Sequence, residues 1–164
     1  MKFVSIIMGS KSDYDIMKEC AATLEKLGVK YEMIIASAHR TPERAKNYVH
    51  EADARGAQCF ICAAGMAAHL AGVVASETTK PVLGVPMKGG VMDGVDALLS
   101  TVQMPGGMPV GTLAVGKAGA VNAAYLAAQI IALSDERVAA KLRDDRLEQI
   151  RKVERDSAEI EVRL

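Results

Sequence analysis

The sequence predicts an α/β three-layer sandwich, a parallel sheet covered by helices on both faces. Three observations carry this expectation. Strand-length apolar runs alternate with helix-length amphipathic stretches almost from end to end. The strand runs are continuously apolar, as expected of strands buried on both faces. A chain of 164 residues also suits one domain with a substantial core.

The elements follow in order. Lys2–Met8 is the first strand. Asp13–Leu27 places Ile16, Met17, Cys20, Ala21, Leu24 and Leu27 on one helical stripe, and Gly28 ends it. Tyr31–Ala36 is the second strand. Pro42 opens a helix over Pro42–Arg55 that closes at Gly56. Gln58–Ala63 is the third strand, followed by a small-residue helix around Ala67–Ser76. Lys80-Pro81 precedes the fourth strand, Val82–Val85. Pro86–Gly94, rich in Gly and Met, reads as a mobile segment, and Val95–Val102 as a short helix. Val110–Val115 is the fifth strand and Ala118–Leu133 an Ala-rich helix. Five strands with helical crossovers suit a flavodoxin-like order, 2-1-3-4-5, with its switch point between the first and third strands. The expected organisation is one domain over 1–164, an α/β core over 1–134 and a helical tail over 135–164. In the tail, Val138, Leu142, Leu147, Ile150 and Val153 form a narrow apolar stripe. It suits either a solvated helix with a modest buried face or an arm packing on another subunit.

Composition narrows the function classes. Half of the residues are hydrophobic but only 4% are aromatic, so Ala, Val, Ile, Leu and Met build the core. Basic and acidic residues balance at 20 each, so no global field favours nucleic acid or an anionic membrane. No apolar run approaches the ~20 residues that span a bilayer. The N-terminal run reads as a strand rather than a signal segment. With an odd cysteine count of 3, this points to a reduced, cytoplasmic setting. Cys59-Phe60-Ile61-Cys62 has C-x-x-C spacing, but strand periodicity points the thiols to opposite faces, so they are small buried hydrophobes rather than a metal or redox pair.

The chemistry sits in three polar stretches at strand ends: Gly9–Asp13, Ser37–Thr41 and Ala64–His69. Doubly wound topology brings such loops into one crevice. In the first, the helix beginning at Asp13, with Ser10 and Ser12, is a ready phosphate cradle, although Ser12 or Asp13 could serve only as a cap. A carboxylate suits ribose hydroxyls better than phosphate, which places Asp13 on the sugar. The second sets His39, a residue suited to proton exchange, beside the planar fork of Arg40. The alternative is a surface arginine and a histidine bonded to backbone. The third is nearly free of bulk apart from Met66 and His69. Gly65, Ala67 and Ala68 let a flat ligand approach backbone N–H groups that can bond a carboxylate. His69 suits either that pocket or a structural place at the helix start, and His50 reads as a surface residue. No metal-ligand spacing, nucleophile elbow or G-x-G-x-x-G loop appears.

The ordered set of motifs resembles the N5-carboxyaminoimidazole ribonucleotide mutase family of purine biosynthesis. The matching stretches are Met8–Asp13, Ser37–Pro42, Ala67–Leu70, Pro81–Pro86, Val102–Pro105 and Pro109–Ala120. They cover nearly the whole chain up to about Leu133. The resemblance implies an isomerase that moves a carboxylate from the exocyclic nitrogen of an aminoimidazole ribonucleotide to the neighbouring ring carbon. It implies that Ser10, Ser12 and Arg40 hold the 5′-phosphate and Asp13 the ribose. His39 is then general acid and base, while His69 and the Gly65–Ala68 backbone line the carboxylate pocket. Ser37, Ala38, Met66 and Leu70 complete the binding set. No cofactor or metal is implied. The partners implied are the nucleotide substrate and further copies of the chain in a homo-octamer whose sites a neighbouring subunit completes.

Two alternatives stand beside it. One is the sister class, an aminoimidazole ribonucleotide carboxylase taking carbon dioxide directly. Its members typically have Lys after the His and Ser-Asn at the place of Ala67-Ala68. The other is a flavodoxin-like binding module without chemistry. The chain departs from the common mutase pattern in having Met66 for a second Gly, Ala71 for Pro, and Gly106-Gly107 for a basic-Gly pair. Pro86–Gly94 and Gln103–Met108 are candidate lids.

Overall fold

A computed structural model describes residues 2–163. The first residue of the chain and the last of the expected tail, Met1 and Leu164, lie outside the described residues. Five parallel strands form one sheet in the order β2-β1-β3-β4-β5, the expected 2-1-3-4-5. The strands are β1 Phe3–Met8, β2 Tyr31–Ile35, β3 Ala57–Ala64, β4 Val82–Pro86 and β5 Gly111–Thr112. The α-helices are α1 Tyr14–Lys26, α2 Pro42–Arg55, α3 Leu70–Glu77, α4 Val95–Val102, α5 Lys117–Ala132 and α6 Glu136–Ile160. A single 3-10 turn, Lys11–Asp13, leads into α1.

Strand periodicity divides the core into two clusters. Val4, Ile6, Met8, Cys59, Ile61 and Leu83 face α1 and α5, whereas Phe3, Ile7, Phe60 and Val82 face α2 and α3. Cys59 and Cys62 fall in opposite clusters, both free and buried, as the strand period requires. Burial pushes the Cys59 thiol up to about 12, where it is a neutral packing atom. The Ala-rich α5 buries Ala120, Ala123, Ala124, Ala127 and Ala128 against α1 and the sheet, because methyl side chains allow close approach. At Gly84 of β4 an added β-carbon would lie 2.4 Å from Thr101 Cγ2, so α4 rests directly on the strand backbone there.

Two elements differ from expectation. The fifth strand is two residues rather than Val110–Val115. Beyond it the chain still follows β4, with Leu113 N–H donating to Gly84 O at 2.9 Å and Gly116 N–H to Pro86 O at 2.8 Å, but the ladder is too sparse for regular pairing. Helix α3 begins at Leu70 rather than near Ala67, because Met66 is left-handed at φ 55 and a tight turn carries His69 N–H to Ala67 O at 2.9 Å. Between β4 and α4, Gly89, Gly90, Asp93 and Gly94 all have positive φ.

The tail is one long helix, α6. Val138 packs into the core, while Leu147, Ile150 and Val153 are exposed. Its polar anchor is Asp145, which accepts from Tyr125 Oη at 2.6 Å and from Gln149 Nε2 at 2.6 Å and pairs with Lys26 of α1. Burial alone would raise the Asp145 carboxyl, but these three partners outweigh it and hold it below the ordinary carboxylate range. A lowered carboxylate pKa stabilises the fold above the unfolded value, and the contribution disappears as pH falls below about 4. Asp145→Ala is expected to cost about 1–3 kcal/mol in thermal unfolding at neutral pH. The deficit should shrink toward pH 3, and amide exchange should rise first in α6. An unchanged melting temperature would show that the packing of Val138 and Leu142 alone holds the tail.

Candidate functional site

Parallel register sets the C-terminal ends of the four long strands level. Met8 pairs with Ile35 and with Ala63, and Ala64 with Pro86. The loops that follow must therefore meet above β1 and β3, the switch point. The backbone N–H and carbonyl of Gly9 tie them together. Its N–H donates to Ala63 O at 3.0 Å, and its carbonyl accepts from Arg40 Nη2 at 3.0 Å.

Each loop is also closed internally. Ser10 Oγ accepts from the Ser12 N–H at 3.3 Å and from the Ser12 hydroxyl at 3.0 Å, capping the turn that opens α1. In the second loop the Thr41 hydroxyl accepts the Ser37 N–H at 2.9 Å, and the Ser37 hydroxyl accepts the Arg40 N–H at 3.1 Å. Arg40 is thus held at both its backbone and its guanidinium. One edge of the fork is committed to Gly9, while the residue as a whole remains exposed.

The loops enclose a cleft of about 450 Å³. Ser10, Ser12, Asp13, Ser37, Ala38, His39, Arg40, Gly65, Met66, Ala67, His69 and Leu70 all line it, as the sequence expects. Ala68 does not. It is 1% exposed and lies behind the wall, its N–H donating to Ser100 Oγ at 3.0 Å. That N–H is committed within the chain and is not free for a ligand. The cleft also takes in Met87, Lys88, Gly89 and Gly90 from the β4–α4 segment, whereas Gln103–Met108 contributes nothing to its lining. Lys88 is a second cation lining the cleft, one that motif reading passed over. It could have been noticed as the lone cation in an apolar, Gly-rich stretch.

The central contact is between two histidines thirty positions apart. His39 Nε2 and His69 Nδ1 are 2.7 Å apart, and the rings meet edge to face with centroids 4.9 Å apart. One proton must lie between these nitrogens, so one ring donates while the other accepts. His69 lines the cleft and is at the same time the residue that opens α3. His50 stays apart, 2.9 Å from Glu77 on the surface.

The third loop supplies a different surface. Among the described residues, the N–H groups of Gly65, Met66 and Ala67 have no partner in the chain. Unbonded N–H groups beside a cleft suit an anionic or carbonyl oxygen. Met66 holds a left-handed backbone that costs a non-glycine residue about 1–2 kcal/mol. Its side chain is 63% exposed.

Opposite, Asp13 is 8% exposed. Burial pushes its carboxyl up, and bonds from the Ser10 backbone and the Ser12 side chain offset this only in part. A buried carboxylate with few donors gains most from a ligand that brings hydroxyl groups. Taken together, the cleft has cationic and hydroxyl groups at one end, backbone N–H groups at the other, and an imidazole pair between them. Among the described residues no cluster suits a metal ion.

A family model described as AIR carboxylase matches residues 3–152. The N5-carboxyaminoimidazole ribonucleotide mutase of Brucella melitensis is 52% identical over 157 residues, which cover 95% of this chain and 97% of that protein. The mutase of the same name from Escherichia coli K12 is 50% identical, covering 86% of this chain and 83% of its own. The crystal structure of Treponema denticola PurE superposes with a TM-score of 0.89 at 27% identity, covering 99% of this chain and 100% of that one. The chain belongs to the AIR carboxylase family.

Proposed function

We propose that the protein is a mutase converting N5-carboxyaminoimidazole ribonucleotide to 4-carboxy-5-aminoimidazole ribonucleotide, a step of purine nucleotide biosynthesis. The observation that carries this reading is the 2.7 Å His39–His69 contact, placed between a phosphate-type cradle and a wall of free backbone N–H groups. Relatives of that name are about half identical along nearly the whole chain.

Ser10, Ser12 and Arg40 hold the 5′-phosphate, and Asp13 accepts the ribose hydroxyls. Ser37, Ala38 and Leu70 pack around the base, and the backbone of Gly65, Met66 and Ala67 receives the carboxylate. His39 gives a proton to the exocyclic nitrogen. The nitrogen–carbon bond to the carboxylate breaks, its electron pair stays on nitrogen, and carbon dioxide is left in the pocket. The ring is now an electron-rich enamine, and its carbon attacks the trapped carbon dioxide. His39 then takes the proton displaced from that carbon and is restored. His69 holds the tautomer of His39 through their shared proton. The two proton transfers balance, and the reaction has no net oxidation and spends no ATP. Retention of carbon dioxide requires a dry pocket, which the Met87–Gly90 segment is placed to cover.

We also read the protein as a cytoplasmic homo-octamer. Val95, Leu99 and Val102 repeat on one exposed face of α4, next to exposed Val91 and Met92, and the α6 stripe is similarly uncovered. Contiguous apolar surface of this kind marks an interface. Among the described residues no helix is long and apolar enough to cross a membrane.

Purified protein given the N-carboxylated substrate should form the ring-carboxylated isomer without ATP. Turnover only from aminoimidazole ribonucleotide and bicarbonate would instead support the carboxylase that the family description names. Binding without turnover would support a binding module. In the same assay His39→Asn should bind substrate near normally while kcat falls at least ~100-fold; a fully active variant would sink the proton-shuttle role. Asp13→Asn should raise the melting temperature by removing a buried charge, yet weaken nucleotide binding about tenfold. Light scattering should give eight times the 17.4 kDa chain mass, and a monomer would remove the octamer.

A further inference from the structure

Two consecutive hydroxyls of α4 hold the third loop from behind. Ser100 Oγ accepts the Ala68 N–H at 3.0 Å and donates to Asp96 O, one helical turn back, at 2.8 Å. The Met66 carbonyl lies 3.3 Å from the same oxygen. Thr101 Oγ1 donates to Ala97 O at 2.7 Å and stands 3.4 Å from the Ala68 carbonyl.

The loop depends on these bonds because it has little else. Its internal closure is the Ala67–His69 turn, and Met66 sits in a left-handed conformation that a methionine does not favour. Ala68 is 1% exposed, so its N–H relies on an acceptor within the chain, and Ser100 supplies it. Ser100 itself does not line the cleft. The next residue after Ala68 is His69, whose Nδ1 must stay within reach of His39.

We propose that Ser100 is a positioning residue. By fixing Ala68 it sets both the backbone that lines the cleft at Gly65–Ala67 and the distance between His69 and His39. The catalytic part of this inference rests on the mutase reading above; the geometric part does not. A loosened loop leaves the chemistry possible but lets carbon dioxide escape between cleavage and recapture.

The test uses the full chain and two readouts. Imidazole 15N NMR without substrate follows the three histidines, assigned by single substitutions. In Ser100→Ala the coupled His39–His69 signals should separate, while His50, held by Glu77, should not move. In turnover, the ratio of decarboxylated aminoimidazole ribonucleotide to ring-carboxylated product should rise about tenfold, with kcat falling more than KM changes. Ser100→Thr, which keeps the hydroxyl, should restore both. Ser100→Cys keeps the volume but weakens the acceptor, and serves in the same way if the alanine variant does not fold. Wild-type histidine signals and product ratio in Ser100→Ala would overturn the proposal. So would a shift of His50 as large as that of the pair, which would mark general destabilisation. Separated His39–His69 signals in a protein whose wild type shows no mutase turnover would sustain the positioning role and discard the mutase reading.

Discussion

The backbone of Gly9 is the constraint on which the site depends. Its N–H is bound to the end of β3 and its carbonyl to the guanidinium of Arg40, so the two peptide groups that meet at one residue fix three loops relative to one another. It can do so because β1 is the strand at which chain order reverses, with β2 on one side and β3 on the other. Arg40 takes part at a cost in freedom: one edge of its fork is spent on structure, which leaves the rest pre-oriented for an anion.

The polarity of the cleft follows from that arrangement. Hydroxyl and guanidinium groups gather over the start of α1, where the helix dipole also favours negative charge. The third loop offers backbone donors without side-chain charge. Between them the imidazoles share a proton across 2.7 Å. An asymmetric substrate, anionic at both ends with a titrating atom between, has one sensible orientation in such a cleft. The raised Asp13 carboxyl fits this picture, since the free protein carries a buried charge that a bound sugar would relieve.

Much of this was legible in the sequence, for physical reasons. Apolar periodicity located the long elements, and α2 and α4 ran as expected because Pro42, Gly56 and Gly94 mark their ends unambiguously. Strand order followed from parallel alternation, and loop convergence followed from strand order. What stayed hidden were contacts between residues distant in sequence. Nothing local in Ala67-Ala68-His69 shows that Ser100 will claim an N–H, that Met66 will be left-handed, or that His69 will face His39. Likewise, β5 shrank because pairing with β4 is decided by a neighbour rather than by the apolar run Val110–Val115 itself.

The absent side chain at Gly84 carries a consequence for how this molecule can change over time. Because Thr101 rests on bare backbone there, the height of α4 above the sheet is set by one missing carbon. The same helix presents Ser100 to Ala68 on the third loop. A substitution that thickened the core at this point would lift the helix and retune the site in one event. Packing beneath α4 and the geometry of the cleft are therefore not independent variables for drift, and any lineage that changes the one changes the other.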